Sequence, residues 1–236
     1  ASCIGNQFDL ITLAIISEQS PVETATNLWK ALQEGLILPQ SQVYKFYLSR
    51  DGADTNTKNI ENVGYRFLHD RVQQAAYSLI ADNQKQATHL KIGQLLLQKI
   101  PATERYKKIF DIVNQLNYGV ELITEPAERE KFATLNLSAG SKARVSNAYN
   151  AATEYVTYGI QLLQADCWHS QYQLALELHN LGAEAAYLAG NFELMAEFIQ
   201  KVLDNVENPL DKIKVYEIQI QAYGAQNQAL AAVKLG

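Results

Sequence analysis

Few side chains in this sequence could do chemistry, and the most suggestive are the adjacent His69 and Asp70. They lie in FLHDRVQQAAYSLI, residues 67–80, where an alternating pattern typical of a strand gives way to a helical one. An imidazole at such a junction can donate a hydrogen bond to a phosphate oxygen, and a carboxylate can cap the helix that follows. In a purely structural alternative, Asp70 caps the helix and His69 is a partly buried residue at the end of a strand. The residues alone leave both interpretations open.

Other candidate residues predict no catalytic or metal site. Cys167 and His169 flank Trp168, but a metal site would need two more ligands, and none is near in the sequence. The segment AGSKAR, 139–144, lacks the glycine spacing of a phosphate-binding loop and falls within a helical pattern. There is no motif that pairs a nucleophile with a base. We therefore expect no enzyme activity, no metal and no cofactor of this stretch itself.

Composition and charge narrow the class of partner. The 236 residues are 47% hydrophobic, enough for one large or two small domains. The net charge is −5, and the first 82 residues carry six Lys or Arg against nine Asp or Glu, which disfavours nucleic acid as a partner. Two distant cysteines fit a reducing cytoplasm, and no apolar run approaches the roughly 18 residues that a membrane span needs. We expect a cytoplasmic chain that binds neither nucleic acid nor membrane.

The elements around His69 predict a winged helix over residues 1–82. After a short buried helix at 8–18, Ser20, Pro21 and Glu23 indicate a capping box that starts a helix over 20–35. Its predicted apolar face consists of Val22, Ala25, Leu28, Trp29 and Leu32. Strands are predicted at 36–39, 43–48 and 65–69, a polar loop at 49–64 and a helix at 70–82. The opening residues, ASCIGN, resemble the end of a helix already under way, which indicates a piece of a longer chain.

Residues 83–236 predict stacked helices. Helical patterns cover 84–100, 105–123, 128–146, 148–163, 170–190, 191–206 and 209–226, and another begins at 228. The runs YLAGNFELMA (187–196) and YGAQNQALAA (223–232) match at a spacing of 36 residues, and SNAYNAATEY (146–155) is a looser copy. This spacing is near the roughly 34 residues of tetratricopeptide units. The fold class predicted is therefore mainly α: a small winged helix followed by an α-helical tetratricopeptide-like superhelix.

Two sets of residues resemble known signalling proteins. Phe67-Leu68-His69-Asp70 resembles the Met-His-Asp-type motif of the signal-transduction ATPases with numerous domains, with Leu68 in place of Met. The second set resembles the segment that joins the ATPase to helical repeats in cyanobacterial hybrid kinases, which carry both Ser/Thr kinase and sensor histidine kinase domains. Its runs are GNQFDLITLAIISEQSP, LWKALQEGLILP, YRFLHDRVQQAAYSLI, HLKIGQLLLQ and IFDIVNQLNYGVELIT.

The resemblance implies a role for His69 and a place for this chain. His69 and Asp70 would form the nucleotide-sensing site: His69 would contact the β-phosphate of ADP, and Asp70 would brace the local turn as N-cap of the helix over 70–82. The nucleotide would be bound in an upstream ATPase module, which would hold ADP or ATP with Mg. The chain would be a regulatory segment that relays nucleotide state and contacts neighbouring domains and protein partners. Two alternatives stay open: a stand-alone tetratricopeptide-like adaptor, and a winged-helix transcriptional regulator, which the acidic charge disfavours. The sequence does not decide the oligomeric state.

Overall fold

The computed structural model describes residues 1–40 and 63–235, and these residues are mainly helical with one small antiparallel sheet. They divide into two compact units, Ala1–Leu122 and Ile123–Gly236. Of the elements in the described ranges, the three strands and the first six helices lie in the first unit, and the later helices lie in the second. The domain boundary predicted after residue 82 falls inside the first compact unit, and it stays a prediction.

Strands and short helices alternate at the start of the first unit. Its strands are β1 (Gln7–Asp9), β2 (Ile37–Pro39) and β3 (Gly64–Phe67). Its helices are α1 (Leu10–Ser17), α2 (Pro21–Gln33), α3 (Asp70–Ser78), α4 (Asp82–Lys99), α5 (Ala102–Arg105) and α6 (Ile109–Tyr118), followed by a 3-10 turn at Val120–Leu122. The strand predicted at 43–48 and most of the loop predicted at 49–64 lie outside the described residues.

Helix α2 begins where the local sequence predicts. The Glu23 N–H donates to the Ser20 hydroxyl at 3.2 Å, and the Ser20 N–H donates to the Glu23 carboxylate at 3.1 Å. This reciprocal pair is the predicted capping box, which is confirmed. The apolar face predicted for α2 is only partly buried: Ala25 is buried, whereas Val22 is 59% and Trp29 40% exposed.

The sheet corrects the prediction of a helix over 8–18, because the first residues of that segment form β1. Phe8 pairs with Tyr65 of β3 in antiparallel register, and their ring centroids lie 5.8 Å apart. Strand β3 lies in the centre, antiparallel to β1 on one side and to β2 on the other. The core beneath the sheet comprises Phe8, Leu10, Leu13, Ala25, Ile37, Val63, Tyr65 and Phe67.

Helices α4 and α6 pack against each other beside this core, and α1 packs on α4. Gly93 of α4 lets the two helices approach closely, because a Cβ there would lie 2.6 Å from Leu116 Cδ2 of α6. Their buried face is apolar apart from His89, Gln115 and Asn117. Helices α4 and α6 therefore pack within the same compact unit as the sheet.

The second unit consists of helices joined by short connections. They are α7 (Pro126–Val145), α8 (Tyr149–Gln161), α9 (Cys167–Ser170), α10 (Tyr172–Leu188), α11 (Phe192–Asn205), α12 (Pro209–Ala225) and α13 (Ala229–Leu235). Within it α7 packs with α8, α10 with α11, and α12 with α13. None of the helices in the described ranges of either unit has the length and apolar character needed to cross a membrane.

The same turn occurs in each of the three helix pairs that residues 123–235 form. A residue with positive φ follows the first helix of each pair: Asn147 (60°), Gly190 (75°) and Asn227 (58°). In each turn the next residue donates its N–H to a carbonyl five residues back, as in a Schellman motif. These bonds run from Ala148 to Ala143, from Asn191 to Ala186 and from Gln228 to Tyr223, at 2.9, 2.9 and 2.8 Å.

These turns shift the repeat register by one residue from the sequence match. The sequence pairs Asn191 with Asn227, whereas the turns place Gly190 at the position equivalent to Asn227. The physical reason is that glycine and asparagine both tolerate the left-handed conformation, so residue identity alone misplaces the turn. The helical repeats stay a prediction, and the spacing of the turns differs from the one read from the sequence.

Candidate functional site

His69 lies at the corner between β3 and α3, where the change of sequence pattern places it. Strand β3 ends at the buried Phe67. The Leu68 N–H still donates to the Leu36 carbonyl at 3.0 Å, which extends the pairing by one residue. His69 has extended backbone angles, φ −142° and ψ 151°, and Asp70 is the first helical residue. The two candidate residues therefore stand side by side where the sheet ends.

Both candidate side chains are exposed. The N-cap position of α3 is occupied by His69, whose side chain makes no hydrogen bond at the cap. The expectation that Asp70 is the N-cap is therefore wrong by one residue; its carboxylate lies in the first turn, where the positive end of the helix dipole favours it. Nor is His69 partly buried, as the structural alternative expects. A ligand can reach its imidazole from solvent.

Helix α3 is shorter than the predicted helix over 70–82. It ends at Ser78, and the Ile80 N–H donates to the Tyr77 carbonyl at 3.1 Å in a tighter turn. Leu79 is 87% exposed and lacks the apolar burial that would continue the helix. A separate helix, α4, begins at Asp82. The residues that carry His69 thus form a short element of their own.

The C-terminal end of α3 meets a polar cluster that we call the Tyr77 cluster: Tyr77, His89, Gln115 and Tyr118. The Tyr77 hydroxyl lies 2.9 Å from His89 Nε2 and 3.1 Å from the Tyr118 hydroxyl. His89 Nδ1 lies 2.7 Å from Gln115 Oε1, and the Gln115 amide donates to the Cys3 carbonyl at 2.9 Å. Because the Gln115 amide nitrogen donates to Cys3, the amide oxygen of Gln115 is the atom that faces His89. An amide oxygen only accepts, so His89 Nδ1–H donates this hydrogen bond to Gln115 Oε1.

Sequence reasoning missed this cluster, although a signal for it was present. The buried stripe of α4 runs through Ile92, Gly93 and Leu96, and His89 occupies the preceding turn of the same stripe. A histidine at an apolar position of a helix indicates a buried ring with partners. The partners themselves could not be read, because Tyr77 and Gln115 come from other helices.

An ion pair ties the start of α1 to the start of α6. The Asp9 carboxylate accepts from the Thr12 N–H at 2.7 Å and from its hydroxyl at 2.8 Å, and Lys108 Nζ lies 3.1 Å away. Burial acts to raise the pKa of Asp9, but the Thr12 donors and the Lys108 ammonium outweigh it and lower that pKa. The ionised carboxylate therefore stabilises the folded first unit.

We expect Asp9→Ala to lower the free energy of unfolding of the first unit by about 1 to 2 kcal/mol at pH 7, since it removes a helix cap and an ion pair. The folded state lowers the pKa of Asp9, so the contribution is full above about pH 4 and is lost as the pH falls through the folded pKa. Urea unfolding from pH 7 to pH 3 measures both effects. A deficit that does not shrink in acid would contradict this account.

Asp111→Ala is the matched control. Asp111 also contacts Lys108, at 3.4 Å, but its side chain is 52% exposed and it is not a cap. An exposed ion pair contributes at most about 1 kcal/mol, so we expect a smaller loss than for Asp9→Ala.

The residues set aside in the sequence do not converge. Cys167 is buried and His169 is exposed, although only one residue separates them. No group of three or more potential metal ligands gathers within residues 1–40 and 63–235. Gly140 of AGSKAR is buried inside α7, where a Cβ would lie 3.2 Å from Leu181 Cδ2, so it serves helix packing.

Comparison with known proteins finds a similarity to a signalling protein. It is similar to a segment of the Hybrid signal transduction histidine kinase G of Dictyostelium discoideum, with 27% identity over 271 residues and 94% of this chain covered. The match takes up 8% of that kinase, so the chain spans a small part of the length of the relative. No family model and no solved structure matches the chain.

Proposed function

We propose that this chain is a non-catalytic regulatory segment of a multidomain signal-transduction kinase. Its first unit relays the nucleotide state of an ATPase module in the same polypeptide, and its second unit scaffolds a protein partner. The observation that carries the proposal is the match to a hybrid histidine kinase over 94% of the chain, within only 8% of that relative. The matched stretch includes residues of both units within one much larger signalling protein.

The sheet supports a winged helix in the first unit. Strand β1 precedes two consecutive helices, α1 and α2, and β2 and β3 follow them. Strand β1 pairs with β3 rather than with β2, so the last strand lies in the centre. The order of two helices, two paired strands and a further helix is the order predicted for the winged helix.

The three equivalent turns support helical repeats in the second unit. A repeat protein places one supersecondary unit on the next, so the same turn recurs at the same point of each unit. The positive φ at Asn147, Gly190 and Asn227 follows this rule. Stacked helix pairs provide an extended surface for a protein partner, which is the scaffold role proposed here.

The surroundings of His69 suit an anion. His69 is exposed at the N-terminal end of α3, where the helix dipole favours negative charge. Arg66 and Arg71 are exposed close by in the sequence, against the single carboxylate of Asp70. The imidazole could donate to the β-phosphate of ADP held with Mg by the ATPase module, and loss of that contact would change the position of the winged helix.

The proposal is tested in the full-length kinase that contains this segment. We expect His69→Ala to weaken ADP retention by about tenfold or more, because a hydrogen bond to a charged phosphate contributes about 1.5 to 3 kcal/mol. Kinase autophosphorylation should respond to ADP less than in the unchanged protein. His169→Ala is the matched control, since His169 is also exposed but lies in the second unit.

Two results would contradict parts of the proposal. Unchanged ADP retention and unchanged autophosphorylation in His69→Ala would remove the sensing role and favour a tetratricopeptide-like adaptor. Titration calorimetry of the 236-residue chain with ADP should give no measurable heat, because the proposed nucleotide pocket belongs to another module. Tight ADP binding by this chain alone would overturn the relay.

A further inference from the structure

Helix α3 is held differently from its neighbours. None of its nine residues is buried, and Leu79 directly after it is 87% exposed. Helix α4 and helix α6, by contrast, bury a continuous face against each other. Apolar burial is the main term that fixes a short helix on a protein, and an isolated helix of this length is marginal in water. Contacts other than the burial of an apolar face must therefore hold α3 in place.

Polar contacts fix α3 along one side. The Gln73 amide donates to the Ser2 carbonyl at 2.7 Å, one turn before Tyr77. The Tyr77 hydroxyl then enters the Tyr77 cluster. Val72 adds an apolar contact, because it packs against the core under the sheet. Within the described residues, the partly buried side chains of Val72 and Tyr77 and a few hydrogen bonds hold α3 in place.

The side chains that contact Tyr77 also contact one another within the first unit. His89 is 7% and Gln115 is 8% exposed, and each contacts the other across α4 and α6. The Tyr118 ring packs on the His89 ring with centroids 4.1 Å apart, and Lys85 Nζ lies 4.9 Å from the centre of the Tyr77 ring. Of these contacts, His89–Gln115 and His89–Tyr118 join α4 to α6 and do not involve α3.

We propose that Tyr77 is a latch that seats α3, with His69 at the opposite end of the helix, on the α4–α6 pair. Breaking the contacts of the Tyr77 hydroxyl lets α3 detach while the sheet, α4 and α6 stay folded. The latch is a property of the first unit alone; its use in signalling rests on the proposed function. In that use, movement at His69 is transmitted along one short helix to the helices that follow.

We expect α3 to be less stable than α4 and α6, because it is held mainly by hydrogen bonds. A net hydrogen bond contributes about 1 kcal/mol, far less than the burial of a large apolar face. Segments held in this way open without global unfolding and exchange their amide hydrogens first. Amide exchange rates therefore distinguish an α3 that opens by itself from a first unit that is equally stable throughout.

The test is hydrogen exchange, read by mass spectrometry, on the whole 236-residue chain and on Tyr77→Phe. In the unchanged chain, amides of 71–80 should exchange at least about tenfold faster than those of α4 and α6. Tyr77→Phe should speed exchange of 71–80 a further fivefold or so and leave α4 and α6 nearly unchanged. Tyr158→Phe is the control, because it removes a hydroxyl from a half-buried tyrosine of α8 and should leave 71–80 unchanged.

Two outcomes would overturn the latch. The first is protection of 71–80 equal to that of α4 and α6 in the unchanged chain. The second is faster amide exchange in α3, α4 and α6 alike in Tyr77→Phe, which would show that Tyr77 stabilises the whole unit. Tyr118→Phe removes the hydrogen bond between the Tyr77 and Tyr118 hydroxyls and keeps the one between Tyr77 and His89. It should therefore speed exchange in 71–80 by less than Tyr77→Phe does. ADP is absent from every arm, so failure here leaves the nucleotide proposal standing.

Discussion

Replacing Arg129 by glutamine is expected to lower the free energy of unfolding of the second unit by about 3 kcal/mol. The Arg129 guanidinium donates three hydrogen bonds to backbone carbonyls: Nε to Leu162 at 3.1 Å, Nη1 to Ile123 at 3.0 Å and Nη2 to Gln161 at 2.6 Å. Gln161 and Leu162 end helix α8, where carbonyls lack helical partners. Glutamine can replace at most part of this fork and leaves carbonyls of the buried Leu162 and Ile123 without a donor.

Urea unfolding measures this effect through Trp168, which lies in the second unit, once Trp29 has been replaced by phenylalanine. Lys131→Gln is the control, because it removes one positive charge from an exposed position of α7 and should change the unfolding free energy by less than about 0.5 kcal/mol. Arg129→Lys keeps the charge but loses the planar fork, so we expect it to recover only part of the loss. Equal stability of Arg129→Gln and Lys131→Gln would show that the fork contributes nothing.

Gly93→Ala should destabilise the first unit by about 2 kcal/mol, although alanine is the better helix former. A Cβ at Gly93 would lie 2.6 Å from Leu116 Cδ2, 2.7 Å from its Cγ and 3.0 Å from its backbone nitrogen. The backbone of α6 would have to move, and Gln115, the partner of His89, immediately precedes Leu116. The methyl group therefore disturbs both the α4–α6 contact and the Tyr77 cluster.

Gly224→Ala is the same substitution in an open position. Gly224 is exposed near the end of α12, and nothing lies within 4 Å of a Cβ built there. We expect a gain of about 0.5 kcal/mol, from reduced freedom of the unfolded chain and better helix propensity. Circular dichroism during urea unfolding compares the two variants. A loss of stability in both would mean that the close approach at Gly93 does not decide the effect.

Local signals in the sequence predicted the helices well, because a cap and its apolar stripe lie within a few residues of each other. The capping box at Ser20 and Glu23 is formed as predicted. The strand β1 was missed because its evidence lies far along the chain: Phe8 is extended because it pairs with Tyr65. The turn register of the second unit was misplaced for a related reason, since Gly190 and Asn227 differ in identity but share a backbone conformation.

At the candidate site, too, the local features could be predicted from the sequence and the long-range contacts could not. The sequence by itself located His69 and Asp70 where the strand pattern ends and the helical pattern begins, because periodicity is a local property of the chain. Only the tertiary structure decided that His69 is the exposed N-cap residue and that the far end of its helix rests on His89. Burial and hydrogen-bond partners depend on which helices meet, and helices meet through contacts between residues distant in the sequence.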